Sequence, residues 1–303
     1  MPDELLRPFR DKIRGRTPAA RPADEPADPD GEETPPDTIL IRDVVVGPFP
    51  EAARLHSGFA PGIPRVRLTL DVGAGLRKRP GPLGAEETRA LLRICPRLLD
   101  HDCGGNGLLG DLLSGADHAA GTSAAPGAGP VAAPSPGPEA AAAPRAIGPG
   151  EGDGLYLAHL IEHVAIELIV AATGVPRCSG ATCAHAGRLD RFDIFLECAD
   201  PMAGRAAAVL AAALVRDLRL GFTDRMSLHR RCLDLLTLLA SAGDARLVAE
   251  DVAVRMECGK EEALQALQEM VRLGYLDAGP ASYVFSSPTG VLFRRAEIQP
   301  SPR

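Results

Sequence analysis

The sequence predicts an α+β protein: a mixed small sheet with a buried central helix, followed by a separate domain of three helices and a hairpin. Three observations carry this. "RVRLTLDV" (65–72) alternates polar and apolar residues at period two, as a strand with one buried face does. "GDGLYLAHLIEHVAIELIVAATG" (152–174) reads as a helix that is apolar around most of its circumference. After residue 222 come three helical patterns and then a strand, a turn and a second strand.

The 303 residues, 45% of them hydrophobic, suffice for one or two cores of ordinary size. With 32 Gly and 28 Pro, part of that length is not expected to pack. A net charge of −7 disfavours a nucleic-acid backbone or an anionic membrane as partner. The N-terminus lacks the apolar core of a secretory signal and no run reaches the length of a bilayer span, so the expected location is cytoplasmic, with no membrane contact. The cysteines, Cys95, Cys103, Cys178, Cys183, Cys198, Cys232 and Cys258, are odd in number and scattered, and read as free thiols.

Residues 1–37, with "PADEPADPDGEETPPD", have almost nothing to bury and read as a disordered tail. The first folded block runs from 38 to 221. It opens on the strand pattern "TILIRDVVVG" (38–47), followed by the strand at 65–72. A helix with an acidic first turn occupies 84–103 and is broken or bent at Pro96. Residues 116–150 are Ala, Pro and Gly with hardly any charge, a low-complexity insertion that costs little closure entropy. The central helix then starts after Asp153, a candidate cap, and stops at Gly174 with Pro176 beyond.

On that helix His159, Glu162, His163 and Glu167 fall within an arc of roughly 140°. His159-Leu-Ile-Glu162-His163 spells H-x-x-E-H, the reversed zinc-protease order. The i, i+4 spacing turns two imidazoles toward one Zn²⁺, and Glu162 stands where a general base could take a proton from the attacking water. The residues alone leave a second reading open, in which both histidines are core residues bonded to neighbouring carboxylates and carbonyls.

The stretch "GDGLYLAHLIEHVAIEL" resembles the central helix of the N-terminal domain of cyanophycin synthetases. "LLRICPRLLDHDCGGNGLLGDLLSG" before it and "FDIFLECADPMAGRAAAVLAAALV" (192–215) after it resemble that domain's flanking segments. The resemblance covers roughly residues 38–221. It implies a module that handles cyanophycin, a poly-aspartate whose side chains carry arginine, and in some members a zinc peptidase that trims it. The chain lacks the ATP-grasp and Mur-ligase-like modules, so no synthetase activity is expected. The insertion is foreign to the family, and "VPRCSGATCAHAGR" replaces its usual Gly/Arg-rich stretch.

For the third zinc ligand we expect Glu197, at the end of the strand-like "RFDIFLE", with Glu167 as second choice. Cys178, Cys183 and His185 form C-x4-C-x-H with no second pair, which fits a Gly-rich loop with incidental thiols better than a structural zinc site. His101 and Cys103 are candidates to line the cleft, or to sit in an ordinary turn.

Residues 222–303 spell helix, helix, helix, hairpin and resemble a winged helix. The would-be recognition helix carries Glu261, Glu262 and Glu269 against Lys260 and Arg272, and the block holds ten Lys/Arg against eleven Asp/Glu. That balance favours a protein partner or a homodimer over DNA. Three functions follow as expectations: a zinc-dependent peptide or isopeptide hydrolase, a non-catalytic module binding a peptide or Asp/Arg polymer, and a DNA-binding regulator with a ligand-sensing front domain.

Overall fold

The computed structural model describes residues 34–60, 62–78, 83–98, 153–185, 188, 190–242, 247–278, 283–285 and 296–297. Most of the expected tail, the expected insertion at 116–150, His101 and Cys103 lie outside the described residues.

The chain is α+β, as its patterns predict. Strand β1 (Ile39–Gly47) pairs with β2 (Arg65–Val72), interrupted by a register shift between Ile41 and Asp43. Short helices α1 (Ala52–Leu55) and α2 (Ala74–Arg77) follow these strands, and α3 (Ala85–Ile94) ends one residue before Cys95 and Pro96, where the sequence places the break. After helix α4 (Asp153–Thr173) come strands β3 (Gly180–Ala184) and β4 (Arg191–Glu197), then helix α5 (Pro201–Arg219). Helices α6 (Met226–Ala242), α7 (Ala249–Arg255) and α8 (Lys260–Arg272) complete the helical set among the described residues. Strands β5 (Leu276–Ala278) and β6 (Tyr283–Phe285) pair with each other, and β7 (Ala296–Glu297) joins the main sheet beside β1.

The main sheet has the order β3-β4-β2-β1-β7. It was expected to be mixed, yet every pairing in it is antiparallel. The connection from β3 to β4 is six residues, too short for the crossover that parallel neighbours need, so it turns the chain back on itself.

Alternation along the strands gives the sheet two unlike faces. Val66, Leu68, Leu70 and Val72 on β2, with Phe192, Ile194 and Leu196 on β4, are buried in the main core. Arg67, Thr69, Asp71, Asp193 and Phe195 take the alternate positions. There Asp71, fully buried, binds Arg191 at 2.7 Å and Arg42 at 2.7 Å, and Thr69 donates to Asp193 at 2.6 Å.

Helices α4 and α5 cover the apolar face, α4 over β3 and β4, α5 over β1 and β2. Helix α5 starts cleanly because Asp200 accepts the N–H groups of Met202 and Ala203 at 2.9 and 3.1 Å, with Pro201 in the first turn. Its run of buried alanines, Ala206 to Ala208 and Ala211 to Ala213, lets α4 approach closely. Helix α4 ends on Gly174, whose φ of +70° is the left-handed conformation that stops a helix.

Two expectations are corrected here. Residues 222–303 were expected to form a separate domain, yet the chain from Thr34 onward is one compact unit. Helix α6 packs on both α4 and α5, and Cys232, Leu235, Leu236 and Leu239 belong to the same core as the sheet. Three helices followed by the paired strands β5 and β6 are present, and the turn and second strand expected after Phe285 fall largely outside the described residues. The other correction is that Gly154–Thr173 is long and apolar enough to cross a membrane, against the expectation that no run is. In this fold 72% of its apolar window is buried inside the protein, which is what a core helix requires.

Candidate metal centre

On α4, Leu157, Ala158, Leu160, Ile161, Val164, Ala165 and Leu168 are all buried, so the helix is fixed from several sides and its polar residues cannot turn freely. The i, i+4 spacing brings Nε2 of His159 to 3.0 Å from Nε2 of His163, with ring centroids 4.5 Å apart and planes at 86°. Glu162 lies beside them, its Oε2 at 3.4 Å from His159 Nδ1. One ligand atom from each of the three residues lies within 4.8 Å of the others, so the group could hold a metal ion. It is the one such group among the described residues.

The donor geometry suits a small cation. Two imidazole nitrogens on one tetrahedral zinc at about 2.0–2.1 Å stand about 3.3 Å apart, near the separation found here. Two nitrogens that both present lone pairs would repel, so this contact needs a proton or a cation between them. Glu162 and His163 are 4% and 5% exposed, whereas His159 reaches solvent with 23% of its side chain. The cluster therefore opens to solvent on the His159 side.

Strand β3 closes the site over Glu162. Thr182 donates its hydroxyl to Glu162 Oε2 at 2.6 Å. Gly180 lies so close that a Cβ there would stand 2.8 Å from Glu162 Cγ and Oε1. Both residues share the face of β3 that is turned to α4, since Gly180 pairs with Leu196 and Thr182 with Ile194. The sequence alone reads this stretch as a Gly-rich loop and points to neither residue. The signal was the two-residue step from Gly180 to Thr182 beside a β4 pattern whose buried face was already readable.

Glu197, the expected third ligand, is not part of the cluster. It follows Phe195 and Asp193 on the opposite face of β4 and accepts the backbone N–H of Ala60 at 2.9 Å. Glu167, the second choice, lies one turn beyond His163, buried, and lines a cavity of about 1010 Å³ near the C-terminal end of α4. That cavity takes in Arg97, Arg230, Asp234 and Arg255 but none of the three cluster residues. Nearby, burial first and the Glu167 charge second push the Cys95 thiol up to about 12, against an opposing contribution from Arg230.

Cys178, Cys183 and His185 do not gather as a metal site. Cys178 donates to the carbonyl of Glu197 at 2.9 Å, and burial above all, then the neighbouring Cys198, Glu197 and Glu162, drives its thiol pKa upward. Cys183 packs with Phe195 on the outer face, and His185 pairs with Asp193 at 3.0 Å. The described cysteines are free thiols, as expected.

Fold and cluster together define an α+β protein with a buried two-histidine, one-carboxylate group on its central helix. Comparison with protein-family models, curated proteins and solved structures gives no match, so this group's chemistry rests on its own geometry.

Proposed function

We propose that this chain is a zinc-dependent hydrolase of peptide or isopeptide bonds, with a cyanophycin-like Asp/Arg polymer as the substrate class that its sequence resemblance favours. The observation that carries the reading is the 3.0 Å approach of His159 Nε2 to His163 Nε2 beside the Glu162 carboxylate. His159 and His163 are the residues that would hold the ion. Bound there, zinc would supply a Lewis acid that polarises a carbonyl and lowers the pKa of a water.

The chain's own residues supply the rest. Buried α4 and the covering β3 keep bulk water from the Glu162 side and leave the His159 side for substrate. Glu162 is the one carboxylate in the cluster, so it serves either as third donor or as proton acceptor at Oε2. Metal analysis of the full chain separates the outcomes. Wild type should carry stoichiometric zinc and His163→Ala should lose it. Glu162→Gln that keeps zinc but loses amide hydrolysis makes Glu162 the proton acceptor, and loss of zinc makes it a ligand. A metal-free wild type that folds with the cluster intact would falsify the hydrolase reading.

A second reading, a non-catalytic module for the same polymer, draws on the burial of Glu162 and its bond to Thr182. It expects polymer binding that a chelator does not change. For the C-terminal helices we infer protein contact rather than DNA readout, because Lys260 and Arg272 on α8 are already paired with Glu250 and Glu269.

A further inference from the structure

We propose that the open edge of strand β3 is where the substrate docks, pairing with it as an extended peptide main chain that runs beside the metal centre. The catalytic use of this edge rests on the hydrolase reading, whereas the pairing itself does not.

Strand β3 is the outermost strand of the main sheet on its side. It is bracketed by two bonds to β4: the Glu197 N–H donates to the Ser179 carbonyl at 2.8 Å, and the His185 N–H to the Arg191 carbonyl at 3.0 Å. Residues 179 and 185 thus turn main-chain groups toward β4, and the register between them has no shift, so 181 and 183 do the same. Gly180, Thr182 and Ala184 therefore turn their main-chain N–H and C=O groups outward. Among the described residues no strand pairs with that side.

An open edge is a template for another strand, and proteins blunt theirs with charge, proline or a bulge. Strand β3 has none of these: it reads Gly-Ala-Thr-Cys-Ala and pairs without a shift. Its outward groups recur at every second residue, about 6.8 Å apart, which is the repeat of an extended peptide main chain. A chain linked through side-chain amides lacks that repeat, so the edge selects a main-chain peptide over an isopeptide branch.

The position of the edge gives it its use. On the inner face of β3 the Thr182 hydroxyl binds Glu162 Oε2 at 2.6 Å, and Gly180 leaves room for Glu162 Cγ and Oε1 that a Cβ would take. A peptide one strand spacing further out, about 4.8 Å, therefore adjoins the strand that covers the centre. His159, beside the same carboxylate, is the cluster residue that reaches solvent.

The test uses the full chain, stripped of metal so that nothing is cleaved, and a labelled, end-blocked peptide of alternating Asp and Arg read by fluorescence anisotropy. Wild type and Ala184→Ser should bind it. Ala184→Pro removes one outward N–H at an exposed position where an edge strand tolerates proline. It should bind the peptide about tenfold more weakly, with zinc uptake at the wild-type level. The same peptide N-methylated at every residue should also bind wild type about tenfold more weakly or worse, and this arm decides alone if Ala184→Pro does not fold. Wild-type affinity in either arm overturns the proposal, as does Ala184→Ser as impaired as Ala184→Pro, or a wild type that does not bind the peptide. A wild-type dimer that Ala184→Pro dissociates, with no peptide binding, gives the edge to a second copy and overturns it too. Wild type that binds the peptide at this edge but takes up no zinc overturns the hydrolase reading and leaves the docking edge standing.

Discussion

The carboxylate of Glu197 accepts the backbone N–H of Ala60 at 2.9 Å, on the face of β4 turned away from α4. It anchors the segment between α1 and β2 instead of joining the His159, Glu162 and His163 group. Glu197→Ala should therefore leave zinc stoichiometry at the wild-type value and lower stability by about 1–2 kcal/mol, the scale of a lost charge-assisted bond. Metal analysis beside urea unfolding checks both halves. Zinc lost in Glu197→Ala, with the protein still folded, would return Glu197 to the ligand set.

The misplacement of Glu197 shows which signals the sequence carried. Both ends of β2, the start of α4 and the Gly174 stop were legible, because each is set by local patterning or by a residue with one conformational use. The side of Glu197 was legible too. Phe192, Ile194 and Leu196 alternate inward, so residue 197 has to point outward, however well a carboxylate suits a metal. Strand β3 was not legible. Gly180-Ala-Thr-Cys-Ala is short and made of small residues, and it is extended because β4 pairs with it. Thr182 therefore became visible only with the tertiary fold. For α6 the clue was an apolar surface too broad for a helix with one buried side, with Cys232, Leu233, Leu235, Leu236 and Leu239 all buried.

Gly180→Ala isolates the closeness of β3. Its Cβ would meet Glu162 Cγ and Oε1 at 2.8 Å and Ile166 Cδ1 at 2.9 Å, and all of these belong to side chains that can swing. The expected stability cost is thus modest, about 1–2 kcal/mol, at the lower end for overpacking. The displaced carboxylate should lower zinc affinity about tenfold. Chelator competition and thermal unfolding on the same preparation measure the two effects. Unchanged zinc affinity would mean that the placement of Glu162 has no bearing on the metal.

Because α6 is shared between layers, damage to it should reach the front of the molecule. Leu236 is fully buried in the common core, and Leu236→Ala should cost about 2–5 kcal/mol. Hydrogen exchange should show amides of α4 and α6 losing protection by similar amounts, as in one cooperative unit. Loss confined to α6, α7 and α8 would restore an independent C-terminal domain.

The same junction makes stability depend on acid. Asp217, fully buried, binds His229 at 2.9 Å and Arg225 at 2.8 Å and also pairs with Arg216. Burial alone would raise its carboxyl pKa, but the bond from His229 and the charge of Arg216 carry it below the usual value. Glu269 behaves alike: burial is outweighed by Arg272 and Arg225. A carboxyl held lower in the folded than in the unfolded chain adds stability that is complete above the unfolded value of about 4 and disappears as pH falls through the folded one. At pH 7, Asp217→Asn should be destabilised by about 3–5 kcal/mol, since it strips the counter-charge from Arg216 and Arg225 in a buried site. Urea unfolding across the acid range checks the sign. The gap between wild type and Asp217→Asn should narrow as pH drops below about 4, where Asp217 itself becomes neutral. A gap that stayed constant to pH 3 would show that Asp217 contributes through packing and not through its charge.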